Sequence, residues 1–320
     1  MATPSPLPPP TVNLCTVLTE SKRIINAHSR HFLALSVLFL LPLSFSVTVY
    51  PSVSRLILHQ SSSPHNSVSL LRSTLQNDAV DTKTLLLLLI PYILLVTVLN
   101  LLAIGSITYS VYQGFYGRPV KLISAVRSSV RSFLPLLATL ITSNLIVIAI
   151  FSILGFAAFL LTRLINFDQV STVVIVISLA VVVRLYVKWI LSWAVVVIES
   201  SWGLTPLKRS RSLIEGMESV SMSMILVFAV AQFGFFWIST VSASSGQMDD
   251  GGKLWIVVQF VVTSAVLTVL MLYYVAATTV MYMYCKAVRG ELAWEIAEYV
   301  SLPFDDGKVP HLVSVAYNNV

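Results

Sequence analysis

Six apolar stretches dominate the 320-residue chain: Phe32 to Tyr50, Leu85 to Tyr109, Phe133 to Leu161, Thr172 to Ile198, Val220 to Val241 and Leu254 to Tyr284. Each is long enough to cross about 30 Å of hydrocarbon at about 1.5 Å rise per residue. They are too long for the strands of a membrane barrel, which run about 9 to 11 residues and alternate polar with apolar positions. Nor can a water-soluble core absorb them: charged residues make up 11% of the chain, against about 25% in soluble domains. The expected fold class is all-α, a polytopic membrane protein of six transmembrane helices with amphipathic interfacial helices on the cytosolic side. Pro42, Pro91 and Pro135 should kink three spans or occupy their first turns.

The first ten residues combine Pro, Ser and Thr without a hydrophobic period, which predicts a disordered tail. The apolar segment begins only at Phe32, behind Lys22, Arg23 and Arg30, and lacks a small-residue cleavage site. It reads as a retained span rather than a removed signal. The expected organisation is a tail and juxtamembrane segment over 1–31, a six-helix domain over 32–284, and a cytosolic amphipathic helix and tail over 285–320.

Between the second and third spans, Arg118, Pro119, Lys121, Arg127 and Arg131 alternate with Val120, Ile123, Val126 and Val130. The spacing predicts a helix lying on the membrane surface, with its cations at the lipid headgroups. Between the fourth and fifth spans, Lys208, Arg209 and Arg211 alternate in the same way with Trp202, Leu204, Leu207 and Ile214. A more acidic version comes after the sixth span, from Lys286 to Tyr299, and a fainter one covers Thr11 to His31. The two basic connectors also share a pattern, Gly117-Arg-Pro-Val-Lys121 against Gly203-Leu-Thr-Pro-Leu-Lys208. Either the chain repeats a unit of span, surface helix and span, or two helix starts have converged on the same chemistry.

Placing both termini and both basic connectors on one side gives that side 13 Lys and Arg; the other has Arg55, Arg72, Lys83, Arg163 and Lys253. The positive-inside rule then puts both termini in the cytosol. An endoplasmic reticulum or other endomembrane location is expected, with the plasma membrane as the alternative. The net charge of +6 points to anionic membrane lipids as partners and away from nucleic acid; no protein partner can be named. Cys15 and Cys285 fall on the reducing side, so neither a disulfide nor a metal site is expected. Cys285 reads as a small apolar residue at a helix end, with palmitoylation as the lesser alternative.

Arg184 and Lys188 lie one turn apart inside the fourth stretch. Each costs up to about 2.5 to 3.5 kcal/mol at mid-membrane, while the 17 Val, Ile and Leu residues of that stretch return about 5 to 10 kcal/mol, so insertion is feasible. The pair has two readings. Either it contacts an anion or lipid phosphate in the bundle interior, or the apolar core ends near Trp189 and Trp193, with Lys188 snorkelling to the headgroups and Arg184 paired inside the bundle. The second is preferred. Glu199 reads as an interfacial partner for the basic connector rather than a catalytic acid. Asn100, Asn144, Gln232 and Gln259, single amides in four spans, should form interhelical hydrogen bonds of about 0.6 kcal/mol each; a polar pathway is the lesser reading.

No enzyme motif is present. His28, His31, His59, His65 and His311 form no HExxH, and there is no GxSxG, P-loop or GxGxxG. No two glycines stand four apart, so the GxxxG packing motif is missing as well. No cofactor is expected.

The stretch Trp202 to Gly216, WGLTPLKRSRSLIEG, resembles one found in plant multi-pass proteins of uncharacterised function. Those proteins are distantly similar to the membrane domain of bacterial glycerophosphodiester phosphodiesterases. The Pro-rich start, six spans and basic connectors extend the likeness over most of the chain. The bacterial chemistry belongs to a separate soluble barrel, so the resemblance implies a membrane module without the hydrolase, and no catalytic residue carries over. The expected function is that of a non-catalytic scaffold, lipid-contact or membrane-organising protein; the alternative is a transporter or channel for a small or anionic solute.

Overall fold

The computed structural model describes residues 13–61, 73–165, 170–245 and 250–291. Nearly all of them are helical, and no strand occurs among the described residues. The helices are α1 (Leu14–Ala27), α2 (Ser29–Leu35), α3 (Leu41–Ser61), α4 (Ser73–Phe115), α5 (Leu122–Ile165), α6 (Val170–Trp189), α7 (Ser192–Glu199), α8 (Leu204–Ile214), α9 (Glu218–Ser245) and α10 (Asp250–Val288). A π-helical turn, Ser36–Leu40, joins α2 to α3. Six segments are long and apolar enough to cross a membrane: Ser29–Pro51, Leu87–Phe115, Leu122–Leu160, Thr172–Glu199, Glu218–Ile238 and Val257–Val288. The chain is a multi-pass membrane protein of the all-α class.

Proline explains the π turn. Pro42, second in α3, has no N–H to donate back into the preceding turn, and the helix widens there instead of breaking. Pro91 and Pro135 lie inside α4 and α5.

One expectation about the connectors changes: the first is not a separate surface helix, since α5 starts at Leu122 and continues through Arg127, Arg131 and Pro135 into the third span. Nothing between Arg131 and Phe133 breaks a helix, so the basic turns extend the span. Both prolines read as first-turn residues of their helices; Pro206 takes that place in α8, whereas Pro119 lies in the non-helical segment ahead of α5. The second connector alone forms a separate helix, because Gly216 at φ +94 ends α8 before α9 begins. Residues 14–27, within the fainter amphipathic stretch expected over Thr11 to His31, form a helix that buries Val17, Ser21, Ile24 and Ile25. The acidic amphipathic stretch after the sixth span lies outside the described residues from 292 onward.

The chain divides into two compact units. One comprises Met1–His31, Ile104–Val227 and Tyr273–Val320. Its centre is the last part of α10, where Ala276, Ala277, Val280, Met281, Tyr282, Met283 and Cys285 are all fully buried. In α4, Ser106, Ser110 and Gly114 recur every fourth residue, a small-residue stripe that lets neighbouring backbones approach closely. A Cβ on Gly114 would meet Ile24 of α1 at 2.9 Å, and Ser110 Oγ lies 2.9 Å from His31 Nε2. Next to that stripe, a Cβ on Gly105 would stand 3.0 Å from Ser129 Cα of α5.

The second unit comprises Phe32–Ala103 and Phe228–Leu272. There Ser44 of α3 bonds to α10 twice, 2.9 Å to the Ser264 carbonyl and 2.7 Å to Thr268 Oγ1. Tyr50 stacks on Tyr92 with ring centroids 3.7 Å apart.

Replacing Gly105 by Leu should lower the unfolding free energy in detergent by about 1 to 3 kcal/mol, because the α5 backbone leaves no room for the side chain. Gly155→Leu, where nothing lies within 4 Å of the added Cβ, should be neutral or stabilising. A thermal melt of the two variants beside the parent chain makes the comparison.

Candidate anion-binding clefts

The fourth apolar stretch is not one helix. α6 ends at Trp189, Ile190 and Leu191 form a turn, and α7 resumes at Ser192. A helix that stops this way leaves its last carbonyls without intrahelical donors. Two serines from other helices supply them: Ser210 Oγ of α8 donates to the Lys188 carbonyl at 2.8 Å, and Ser221 Oγ of α9 donates to the Val187 carbonyl at 3.2 Å. The hydroxyls fix α8 against the end of α6. α7 ends at Ser200 in the left-handed region, φ 52, and Gly203 at φ 72 turns the chain into α8.

This docking brings four cations together. Arg184 and Lys188 of α6 and Lys208 and Arg211 of α8 line one cleft of about 390 Å³, walled by Ile146, Val181, Leu185, Trp189, Leu204 and Leu207. Lys188 pairs with Glu218 at the start of α9 at 3.6 Å. Arg184 is exposed, and no carboxylate among the described residues lies within ion-pair distance of it, of Lys208 or of Arg211. The preferred expectation, Arg184 paired inside the bundle, is therefore corrected. Its cause is the break after Trp189, which puts the α6 terminus and its basic residues beside the α8 cations instead of deep among apolar helices.

A broader groove of about 910 Å³ opens where α4 meets the start of α5. Tyr109, Lys121, Leu122, Ile123, Ser124, Arg127, Ser128 and Arg131 line it. Three of the four cations of the first connector thus face one groove; Arg118 does not line it.

A family model described as a domain of unknown function (DUF8558) matches residues 11–293. The chain belongs to the DUF8558 family. The matched region takes in every described helix and both basic clefts. No curated protein and no solved structure matches this chain.

Within the DUF8558 fold, Arg209 does not line the cleft with Lys208 and Arg211. It turns away from the cleft, ion-pairing with Glu199 at 3.5 Å and donating a hydrogen bond to Glu291 just beyond α10. Tyr282 donates its hydroxyl proton to Glu199 at 2.7 Å, so one cation joins α7, α8 and the end of α10. Burial pulls the Arg209 guanidinium down, but the Glu291 hydrogen bond and the charges of Glu199 and Glu291 outweigh it and raise it above its ordinary value. A raised value means the stabilisation is present below the ordinary arginine range and is lost only at higher pH still, so these contacts do not weaken anywhere near neutrality. Glu199 thus finds its partner in the second connector, without sharing a helix with Lys188.

Among the described residues, none of the four amides bonds to another helix. Asn144 Nδ2 donates to the Leu140 carbonyl of its own helix at 2.9 Å, Asn100 is exposed, and Gln232 is half-buried. Gln259 keeps a buried Oε1 without a partner among the described residues. Among the described residues, carbonyls of neighbouring helices are instead reached by serines such as Ser44, Ser210 and Ser221, whose short side chains fit close packing. Cys15 and Cys285 are both free thiols, Cys15 exposed and Cys285 fully buried. Burial of Cys285 removes the access that palmitoylation needs. No group of three or more metal-ligating side chains occurs among the described residues.

Sequence reading did not single out Ser210, Ser221, Glu218 or Tyr282. Only Glu218 carried a signal, an acid in the first turn of α9 two residues after the Gly216 break.

Removing Arg209 takes the donor from Glu291 and leaves Glu199 only the Tyr282 hydroxyl, whereas removing Arg211 takes no described partner from a carboxylate. Arg209→Gln should therefore cost about 1 to 3 kcal/mol, and Arg211→Gln should stay within about 0.5 kcal/mol of the parent. Denaturation of the purified chains in one detergent checks the ranking.

Proposed function

We propose that this protein is a non-catalytic membrane module that holds anionic phospholipid headgroups in its two basic clefts. The observation that carries the reading is the α6–α8 cleft, where three of four cations have no described carboxylate partner and the walls are apolar. A cluster of like charges is relieved by an external anion, and a site with apolar walls at the end of a membrane span has phospholipid as its most abundant anion. The α4–α5 groove, with Lys121, Arg127 and Arg131 above exposed Ile123, offers the same combination.

The positive-inside excess supports placing this basic side, with both termini, in the cytosol of an endomembrane. The likeness of Trp202 to Gly216 to plant multi-pass proteins, and through them to the membrane domain of glycerophosphodiester phosphodiesterases, supports a module that meets phospholipid without hydrolysing it.

Extraction of the chain from its membrane in a mild detergent, followed by mass spectrometry of retained lipid, should show anionic phospholipid enriched over phosphatidylcholine. Replacing Lys121, Arg127 and Arg131 together by Gln should reduce that enrichment, each lost cation costing about 1 kcal/mol of headgroup attraction. Retention of neutral and anionic lipid in the proportions of the source membrane would refute the reading. Substrate-dependent flux in liposomes, with no lipid preference, would favour a transporter. Reporters fused to each terminus check the orientation: a signal from the luminal or external face for either one would reverse it.

A further inference from the structure

The two basic sites are not equivalent, and the difference points to a headgroup class. In the α4–α5 groove the cations belong to Lys121 and the first turns of α5, spread along a wide opening. In the α6–α8 cleft two packed helices each supply two cations about one turn apart, and the space between them is less than half as large. Among the described residues only Lys188 is compensated, by Glu218. Arg184, Lys208 and Arg211 leave three positive charges facing one small volume.

We propose that the α6–α8 cleft selects lipids whose headgroup ends in a phosphomonoester, with Arg184 and Arg211 as the residues that set the preference. This deepens the headgroup reading above and rests on it. A phosphodiester headgroup brings one negative charge on two free oxygens. A phosphomonoester brings up to two charges on three oxygens, enough to engage both guanidinium forks and Lys208 at once. Three uncompensated cations repel one another, so the second negative charge is worth more here than at an isolated lysine.

Depth and wall chemistry make the source a lipid. Arg184 lies four residues before Lys188, about 6 Å further along α6 into the fourth span. Around it the wall is Val181 and Leu185 of α6 and Ile146 of α5. One turn before Val181 on the same face of α6, Ile177 adds to an exposed apolar surface. A phosphate bound at Arg184 can keep its acyl chains on this surface. A soluble phosphomonoester would leave the same wall bare.

The full chain in phosphatidylcholine nanodiscs is titrated with phosphatidic acid, with phosphatidylglycerol, and with glycerol 3-phosphate as the soluble monoester, and bound lipid is read by native mass spectrometry. Phosphatidic acid should be retained about tenfold more strongly than phosphatidylglycerol, and glycerol 3-phosphate should not displace it. Arg184→Gln and Arg211→Gln should each bring the ratio to within about threefold while leaving a preference for phosphatidylglycerol over phosphatidylcholine. Arg23→Gln, which removes one exposed cation from α1, should leave the ratio unchanged. Should either cleft variant lose its helical content, the other carries the test.

Equal retention of the two anionic lipids overturns the selectivity and leaves the headgroup reading standing. Preference for neither over phosphatidylcholine removes both. Displacement of phosphatidic acid by glycerol 3-phosphate at matched concentration overturns the lipid source. Unchanged selectivity in both arginine variants overturns the assignment to this cleft.

Discussion

A carbonyl at the end of a membrane helix has little water to turn to, and the structure around α6 depends on how that need is met. The fourth span breaks at Ile190 and Leu191, and the freed carbonyls of Val187 and Lys188 take hydroxyl protons from Ser221 and Ser210. In hydrocarbon an unsatisfied backbone group costs several kcal/mol, so these two bonds hold α8 and the start of α9 against the break. The convergence of Arg184, Lys188, Lys208 and Arg211 results from that docking. Arg209, one residue from Lys208 and two from Arg211, points the other way and ties α8 to α7 and α10 through Glu199 and Glu291. One short helix therefore has a structural face and a basic face directed at the cleft.

The two basic connectors begin alike and end differently. Gly117 and Gly203 both take positive φ, 68 and 72, ahead of a proline and a lysine. The shared turn is a matter of local chemistry, since only glycine enters that region without steric cost. Beyond the turn, one glycine separates the two outcomes. Gly216 stops α8 and gives a separate helix, while Ser128 to Ser132 offers no stop and the helix runs on into the third span. The first connector consequently forms an open groove along a continuous helix, and the second a narrower cleft between two helices.

The six spans were legible in the sequence because their length and composition alone decide the outcome: no other secondary structure satisfies the backbone over so many apolar residues. The amphipathic character of α8 and the first-turn place of Pro206 were legible for the same local reason. The break inside the fourth span was not legible: Trp189 and Trp193 marked only the end of the apolar core, no glycine or proline marks the break, and it depends on serines 22 and 34 residues away. Which cations face a cleft was not legible either. Lys208, Arg209 and Arg211 have the same chemistry in sequence, and Glu291, 82 residues on from Arg209, decides between them. The amides misled because their hydrogen-bonding capacity suggested partners across helices, while the close contacts went to smaller hydroxyl side chains such as Ser44 and Thr268.

If the α6–α8 cleft holds headgroups, its arginine side chains touch lipid phosphate. Rotational-echo double-resonance NMR between guanidinium nitrogen-15 and lipid phosphorus-31, on the chain in anionic bilayers, measures that contact directly. The expected dephasing falls when Arg184 and Arg211 are replaced together by Gln and persists when Arg209 is replaced alone. Dephasing that is absent from the parent chain, or that survives the double replacement unchanged, would contradict lipid binding at this cleft.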